Sequence, residues 1–310
     1  MKFEDVEKIR VQYKNKLVKS FLISAGVTTA IVLIAFLITS HTRFSIVTIL
    51  PALFMSAIFV FAITAIIVAI ATRKEAAEYK KTYKAYFVEQ NLAKTFTNLQ
   101  YQHEAGLNKQ VLAATQMINT GDRYSSNDLT MGKYKNVNFT QADVHIEEEY
   151  TDSDGDTHYT TIFRGRFMIF EFPKKFNFKL EVVSKFFGVG KVPGRNPQTG
   201  RKFEKFEVES IDFNKKFKIY AEDGFEAFYL LDPSFILKIE KVSAEYDKKM
   251  IFCFVDNKLY IGLNEGKDSF EPPRPSKPIN EQLEIEKVSH DIKIITDFVD
   301  ELSLDRKIFS

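Results

Sequence analysis

The pattern of apolar and polar positions changes character three times along this chain. Phe21 to Ser40 is twenty residues without a charge and Ile46 to Ala71 is twenty-six, each long enough to cross roughly 30 Å of hydrocarbon as a helix. They predict a transmembrane hairpin, 21–71, closed by the short turn His41 to Ser45. A cleaved signal peptide is the competing reading of the first span. Its charged leader of twenty residues and the second span five residues later weigh against that reading. From Arg73 the pattern turns amphipathic: Ala77, Tyr83, Tyr86, Phe87, Leu92 and Phe96 recur at helical spacing with no Gly or Pro before Gly106. This predicts a helical stalk over 72–121, with a second short helix from Lys109 to Ile118.

Beyond about Leu129 the period is two, and a mainly antiparallel β domain is expected over 122–266. Val144 to Tyr150 and Tyr159 to Phe172 alternate around Asp154-Gly155, a favoured hairpin dipeptide. Folding there sets Ile146 opposite Phe163, Val144 opposite Gly165 and His145 opposite Arg164, which keeps one face apolar. Further strands are expected at Lys179 to Val183, Phe203 to Glu209 and Phe217 to Tyr220. Asp232-Pro233 supplies an N-cap and a first-turn proline for a helix to about Ala244. Met250 to Val255 and Leu259 to Leu263 read as a hairpin turning at Asp256-Asn257. Pro272, Pro273, Pro275 and Pro278 mark a stiff linker over 267–280. An amphipathic helix over 281–310 follows, in which Ile285, Val288, Ile292, Ile295, Val299 and Leu302 step by 3 and 4 as an a/d seam. That stripe packs on the β domain or the stalk; pairing with a second copy is the alternative. The fold class is thus α+β, and a small barrel of the pleckstrin-homology type is one arrangement, by analogy.

Charge orients the hairpin. Residues 1–20 carry Lys2, Lys8, Arg10, Lys14, Lys16 and Lys19, the segment after the second span carries Arg73, Lys74, Lys80, Lys81 and Lys84, and the turn has only Arg43. The positive-inside bias puts both termini in the cytoplasm of a cell inner or plasma membrane. Neither span holds an ionisable residue, which disfavours transport. Gly26 and Ala30, with Ser24, would let the two helices approach closely. Cys253, the only cysteine, makes no internal disulfide and reads as a core residue. A formal net charge of +2 gives no general signal for nucleic acid.

Three constellations remain. Asp143, Glu147, Glu148, Glu149, Asp152, Asp154 and Asp156 form an acidic cluster, but Thr157 stands where an EF-hand loop needs Gly and Phe163 where it needs Glu, so a solvated hairpin tip is expected and no metal. Gly188 to Lys191 lacks the spacing of a P-loop. Lys174 to Lys218 holds twelve basic and five acidic residues, net +7. Within it Lys191, Arg195, Arg201 and Lys202 are the candidate lipid- or anion-binding residues, in a loop expected over Gly188 to Gly200 or beside it. Phe176, Phe178, Phe186 and Phe187 are interleaved there, either as core or as inserting side chains. No HExxH, paired-Cys site, G-x-S-x-G elbow or Rossmann fingerprint occurs, so no cofactor and no enzyme is expected. A membrane-tethered enzyme with dispersed catalytic residues stays as the alternative to a membrane-anchored binding or scaffold protein.

Asp128-Leu129 through Val137, Thr161-Ile162-Phe163-Arg164-Gly165, Phe213 through Tyr220, Ala227 to Pro233 and Phe254 through Ile261, behind two N-terminal spans, resemble a bacterial family catalogued as domain of unknown function number 3137. The resemblance runs from the stalk to about Pro273 and leaves out the final helix. It implies the architecture; it carries no catalytic residues.

Overall fold

The structure, a computed structural model, describes residues 1–39, 46–185, 187, 200–247 and 249–305, with the backbone alone at 35–39, 46–53 and 174. The turn 41–45, Phe186, and the loop 188–199 with Lys191 and Arg195 lie outside the described residues. The chain forms two compact units, 1–88 with 271–284, and 89–270 with 285–310.

In the first unit, α1 (Phe3–Thr39) and α2 (Ile46–Tyr83) are continuous helices, so the basic leader and the start of the stalk extend the two apolar stretches without a break. Both are long and apolar enough to cross a membrane, and their most apolar windows are only 11% and 6% buried. A soluble core helix would hide such a stretch on all sides. The two helices meet through Ser24, Thr28 and Thr64, with the Thr28 and Thr64 hydroxyls 3.1 Å apart. Gly26 and Ala30 face outward instead, since Ser24 and Thr28 lie about 40° apart on the helix and Gly26 some 200° from Ser24. Below the apolar region α2 passes into a π-helical turn, Lys84–Glu89. There the proline-rich segment is docked rather than free. Tyr79 Oη donates to Pro273 O (3.0 Å), Arg10 to Pro275 O, and Lys80 and Lys84 reach Glu271 at 2.8 and 3.2 Å.

The second unit is a seven-stranded antiparallel sheet with helices on both faces. After α3 (Gln90–Thr95), β1 (Thr97–Gln102) is a strand where the sequence pattern predicted helix; its residues pair with β2 and are mostly exposed. α4 (Lys109–Thr115) is followed by β2 (Arg123–Tyr134), β3 (Val137–Thr151) and β4 (Thr157–Ser184). β3 and β4 pair as the alternation requires: Val144 faces Gly165, His145 faces Arg164 and Ile146 faces Phe163, with one bulge beyond Ile146. Then come β5 (Glu204–Phe206), α5 (Ile211–Lys216), β6 (Phe217–Ala221), α6 (Gly224–Leu230) and α7 (Pro233–Tyr246), the last capped by Asp232. β7 (Lys249–Asn264) is one strand, not a hairpin. Asp256, at φ 54°, makes an irregularity in a ladder that pairs both halves of β7 with the long β4. The strand path is open at both ends, so no closed barrel forms among the described residues.

α4 covers one face, with Leu112, Met117 and Ile118 against Val144, Ile146, Phe163 and Phe167. α7 and α8 (Glu281–Glu301) cover the other, through Phe235 on Phe254 and Phe298 on Phe252. Val288, Ile292, Ile295, Val299 and Leu302 are buried there, which removes the seam from pairing with a second copy. Because Ile295 has no exposed surface, Ile295→Ala should destabilise the chain by about 2–5 kcal/mol in denaturant unfolding of the detergent-solubilised protein. Unchanged stability with an altered oligomeric state would return the seam to an intermolecular role.

Candidate functional site

The basic segment of 174–218 is divided by the fold rather than gathered into one patch. Lys179 lies inside, its Nζ 2.6 Å from the buried Glu181 and 4.8 Å from the Phe203 ring centre. Among the described side chains, Lys175, Lys185, Arg201, Lys202, Lys205, Lys215, Lys216 and Lys218 are exposed against Glu204, Glu207, Glu209 and Asp212, so the surface excess is four positive charges. Of the four candidate anion-binding residues, Lys191 and Arg195 lie outside the described residues, and Arg201 and Lys202 are exposed just before β5. The Arg201 guanidinium donates to the Asn177 carbonyl at 3.1 Å, which holds it beside the outer half of β4. Phe176, Phe178 and Phe187 are core, because alternation along β4 turns the first two inward.

Exposed aromatic surface occurs elsewhere, where the alternation of the strands gave no signal. The segment just before α5, with α6 and the start of α7, borders a groove of about 670 Å³ lined by Val208, Phe228, Tyr229, Leu231, Pro233 and Leu237. Two of its polar rim residues are caps. Ser210 Oγ accepts from the Phe213 N–H and Asp232 Oδ1 from the Phe235 N–H, capping α5 and α7. Glu209, also on the rim, is exposed, so the groove combines apolar contact with one surface carboxylate.

The acidic tip holds itself. Asp152 accepts from the Asp154 and Asp156 N–H groups and lies 2.7 Å from His158 Nε2, contacts that keep its carboxyl below the usual range. Asp143, counted with it from sequence, is instead in the middle of β3, opposite Arg166, and fully buried. Among the described residues no three His, Cys, Asp or Glu side chains are placed to hold a metal ion. Cys253 is in the core, and burial pushes its thiol well above the ordinary range, away from thiolate reactivity.

The densest buried chemistry surrounds Arg166, which was not singled out from sequence because a strand arginine between Gly165 and Phe167 shows no sign of burial. It has no exposed surface. Its Nε lies 2.9 Å from Glu265 Oε2 and its Nη2 2.7 Å from Asp291 Oδ1, while Nη1 donates to the Asp291 carbonyl. Gly165 makes this possible: a Cβ there would sit 2.2 Å from Leu263 O, so only glycine lets the end of β7 approach closely enough to bring Glu265 under the guanidinium. Asp143 is beside the group and accepts the Ser269 N–H at 2.6 Å. Burial pushes the Asp143 carboxyl up to about 8; Arg166 opposes that shift and Asp128 adds to it. The cluster is closed to solvent, so its role is to hold β4, the segment after β7 and α8 in register.

Fold and site together define an α+β chain of two apolar helices and an antiparallel sheet unit with an exposed aromatic groove. The model of a family described as "Protein of unknown function (DUF3137)" matches residues 161–304. The match takes in the Phe-Arg-Gly strand, the Phe213 to Tyr220 and Ala227 to Pro233 stretches and β7. It also includes α8, which the sequence resemblance left out, while Asp128 to Val137 falls before it. No curated protein matches the chain. Among solved structures, the crystal structure of the mycobacterial trehalose monomycolate transport factor A, TtfA, is similar at 10% identity and a TM-score of 0.37, over 72% of this chain and 93% of that one. Similarity that low carries no argument about this chain.

Asp143 gives a pH dependence. Below the ordinary carboxylate range both the folded and unfolded chains carry its proton. As pH rises from about 4 to about 8 the unfolded chain releases the proton and the folded chain keeps it, so stability falls, by at most roughly 1.4 kcal/mol per pH unit. Above that range the loss levels off. Asp143→Asn, which fixes the neutral form, is expected to flatten this part of the pH–stability curve in denaturant unfolding. Parallel curves for the two proteins would show that Asp143 does not titrate in this window.

Proposed function

We propose that the chain is a membrane-anchored binding or scaffold protein, held by α1 and α2 in a bacterial inner or plasma membrane with both termini cytoplasmic. Its sheet unit meets anionic lipid headgroups at that surface and works without catalysis. The observation that carries this reading is the exposure of two long uncharged helical stretches, which in water would leave a large apolar surface wet. The basic residues flanking them on one side favour the cytoplasmic orientation. The exposed basic excess of 174–218 supports the lipid partner, since each such residue near an anionic surface is worth on the order of 1 kcal/mol.

Cys253 is buried, so an added surface cysteine is a clean reporter. Asp154→Cys at the exposed hairpin tip should remain with the membrane fraction through an alkaline wash. It should react with a membrane-impermeant maleimide only after the cells are permeabilised. Release by the wash would refute anchoring, and labelling of intact cells would refute the orientation.

A further inference from the structure

We propose that α6 is an interfacial element: its aromatic face inserts at the headgroup boundary of an anionic bilayer, with Lys175 and Arg201 at its edge on the lipid phosphates. This rests on the membrane-anchored reading above and names the surface that would make the contact.

α6 is amphipathic in an unusual direction. Phe225, Phe228 and Tyr229 lie within about 100° of arc on the helix and are 81%, 58% and 71% exposed. Ala227 and Leu230, on the opposite arc, are buried and fix the helix to the unit. Ile211 at the start of α5 and Leu237 on α7 are also exposed, at 71% and 64%. Of these exposed side chains Phe228, Tyr229 and Leu237 line one groove, and apolar surface gathered in this way marks an interaction surface.

Two observations favour a lipid surface over other occupants. First, Tyr229 lines both the groove above α7 and a smaller one, about 220 Å³, shared with Lys175, Asn177 and Glu226. Arg201 donates to Asn177 O, so the aromatic face borders the basic excess of 174–218, with Glu226 the one acid in that smaller groove. Aromatic side chains flanked by Lys and Arg are the chemistry of interfacial segments: the rings sit at the boundary and the cations meet phosphate. Second, a chain anchored by α1 and α2 carries this patch at a bilayer permanently, so even a weak contact is populated at high effective concentration. Of the groove's polar rim, Ser210 and Asp232 are engaged as caps, which leaves the exposed Glu209 as its one side chain for directed hydrogen bonds, few for a specific peptide.

The chain contains no tryptophan, so single substitutions report alone. The full chain would be reconstituted into vesicles of phosphatidylglycerol and phosphatidylcholine with bromine-labelled acyl chains. It would carry one of three changes: Phe228→Trp on α6, Phe61→Trp on the exposed face of α2, or Asp154→Trp at the hairpin tip. Bromine should quench Phe228→Trp and Phe61→Trp and leave Asp154→Trp unaffected. Adding Lys175→Glu and Arg201→Glu should lower the quenching of Phe228→Trp severalfold in these vesicles, and much less in phosphatidylcholine alone. Quenching of Phe61→Trp without Phe228→Trp overturns the inference and leaves anchoring intact, whereas loss of both overturns anchoring itself. Protection of Phe228→Trp from aqueous acrylamide without bromine quenching would mean that protein, not lipid, covers the face. Quenching that ignores the charge reversals would remove Lys175 and Arg201 from the contact.

Discussion

The arrangement of the sheet unit depends on one buried guanidinium. Arg166 joins β4 to the end of β7 and to α8, partners 99 and 125 residues away in sequence, and it does so with no exposed surface. Burial works against its protonated form, but the nearby carboxylates of Glu265, Asp291 and Asp143 more than offset this and raise its affinity for the proton. Such a group adds little net stability over an apolar replacement, yet removing one partner strands the rest and typically costs about 3–5 kcal/mol. Its effect is on register. The Asp291 pairing fixes where α8 lies along the sheet, and α7 follows, tied to α8 by Tyr246 Oη on Asp297 at 2.5 Å and by Lys293 on Glu245 at 3.2 Å. α6 runs into α7 through Leu231 and the Asp232 cap, so the direction of its aromatic face is set several contacts away from the arginine.

Two kinds of phenylalanine result. Those on β4 alternate with Lys and Asn, point to the covered face and join the core, as Phe176 and Phe178 do. Those on α6 are spaced three and four apart on a helix whose other side is already buried, so nothing in the unit remains to cover them. The same reasoning separates α1 and α2 from the internal helices α7 and α8. An apolar helix with one polar face is satisfied by a partner on one side, and one without a polar face needs cover on all sides, which α1 and α2 do not receive from the chain.

Much of the architecture was legible because it rests on period and on caps. The uncharged stretches, the hairpin register around Val144 and Gly165, the Asp232-Pro233 start of α7 and the seam of α8 follow from local sequence. What was hidden depends on tertiary neighbours. β1, Thr-Asn-Leu-Gln-Tyr-Gln, has a weak apolar alternation and becomes a strand because β2 offers it an edge. Asp256-Asn257 carries the composition of a turn, but β4 is long enough to pair on both sides of it, so the ladder absorbs the left-handed residue as an irregularity. The burial of Arg166 and Lys179 is invisible in a list of charges. A guanidinium or ammonium goes inside only where carboxylates meet it: Glu265 and Asp291 belong to no local motif with Arg166, and Glu181, two residues from Lys179, shows nothing in the sequence to say that both turn inward.

The division of the basic segment bears on how a surface of this kind would act. Summed along the sequence it reads as one patch, but exposed charges are felt only over a Debye length of about 8 Å at physiological ionic strength. Residues further apart than that act separately, and several are already engaged: Lys215 with Asp212 at 3.1 Å, Lys216 with Glu240 at 4.0 Å and Lys205 with Glu207 at 3.9 Å. What matters is therefore which cations lie beside apolar surface. Lys175 shares a groove with Tyr229, and Arg201 is hydrogen-bonded into that groove's wall. At such a junction the charge draws the surface toward phosphate from a distance, and the rings contribute only on contact, when water leaves them. Neither alone would hold a soluble unit at a bilayer for long; next to each other, on a chain that two apolar helices would already keep there, a weak contact is enough to set orientation.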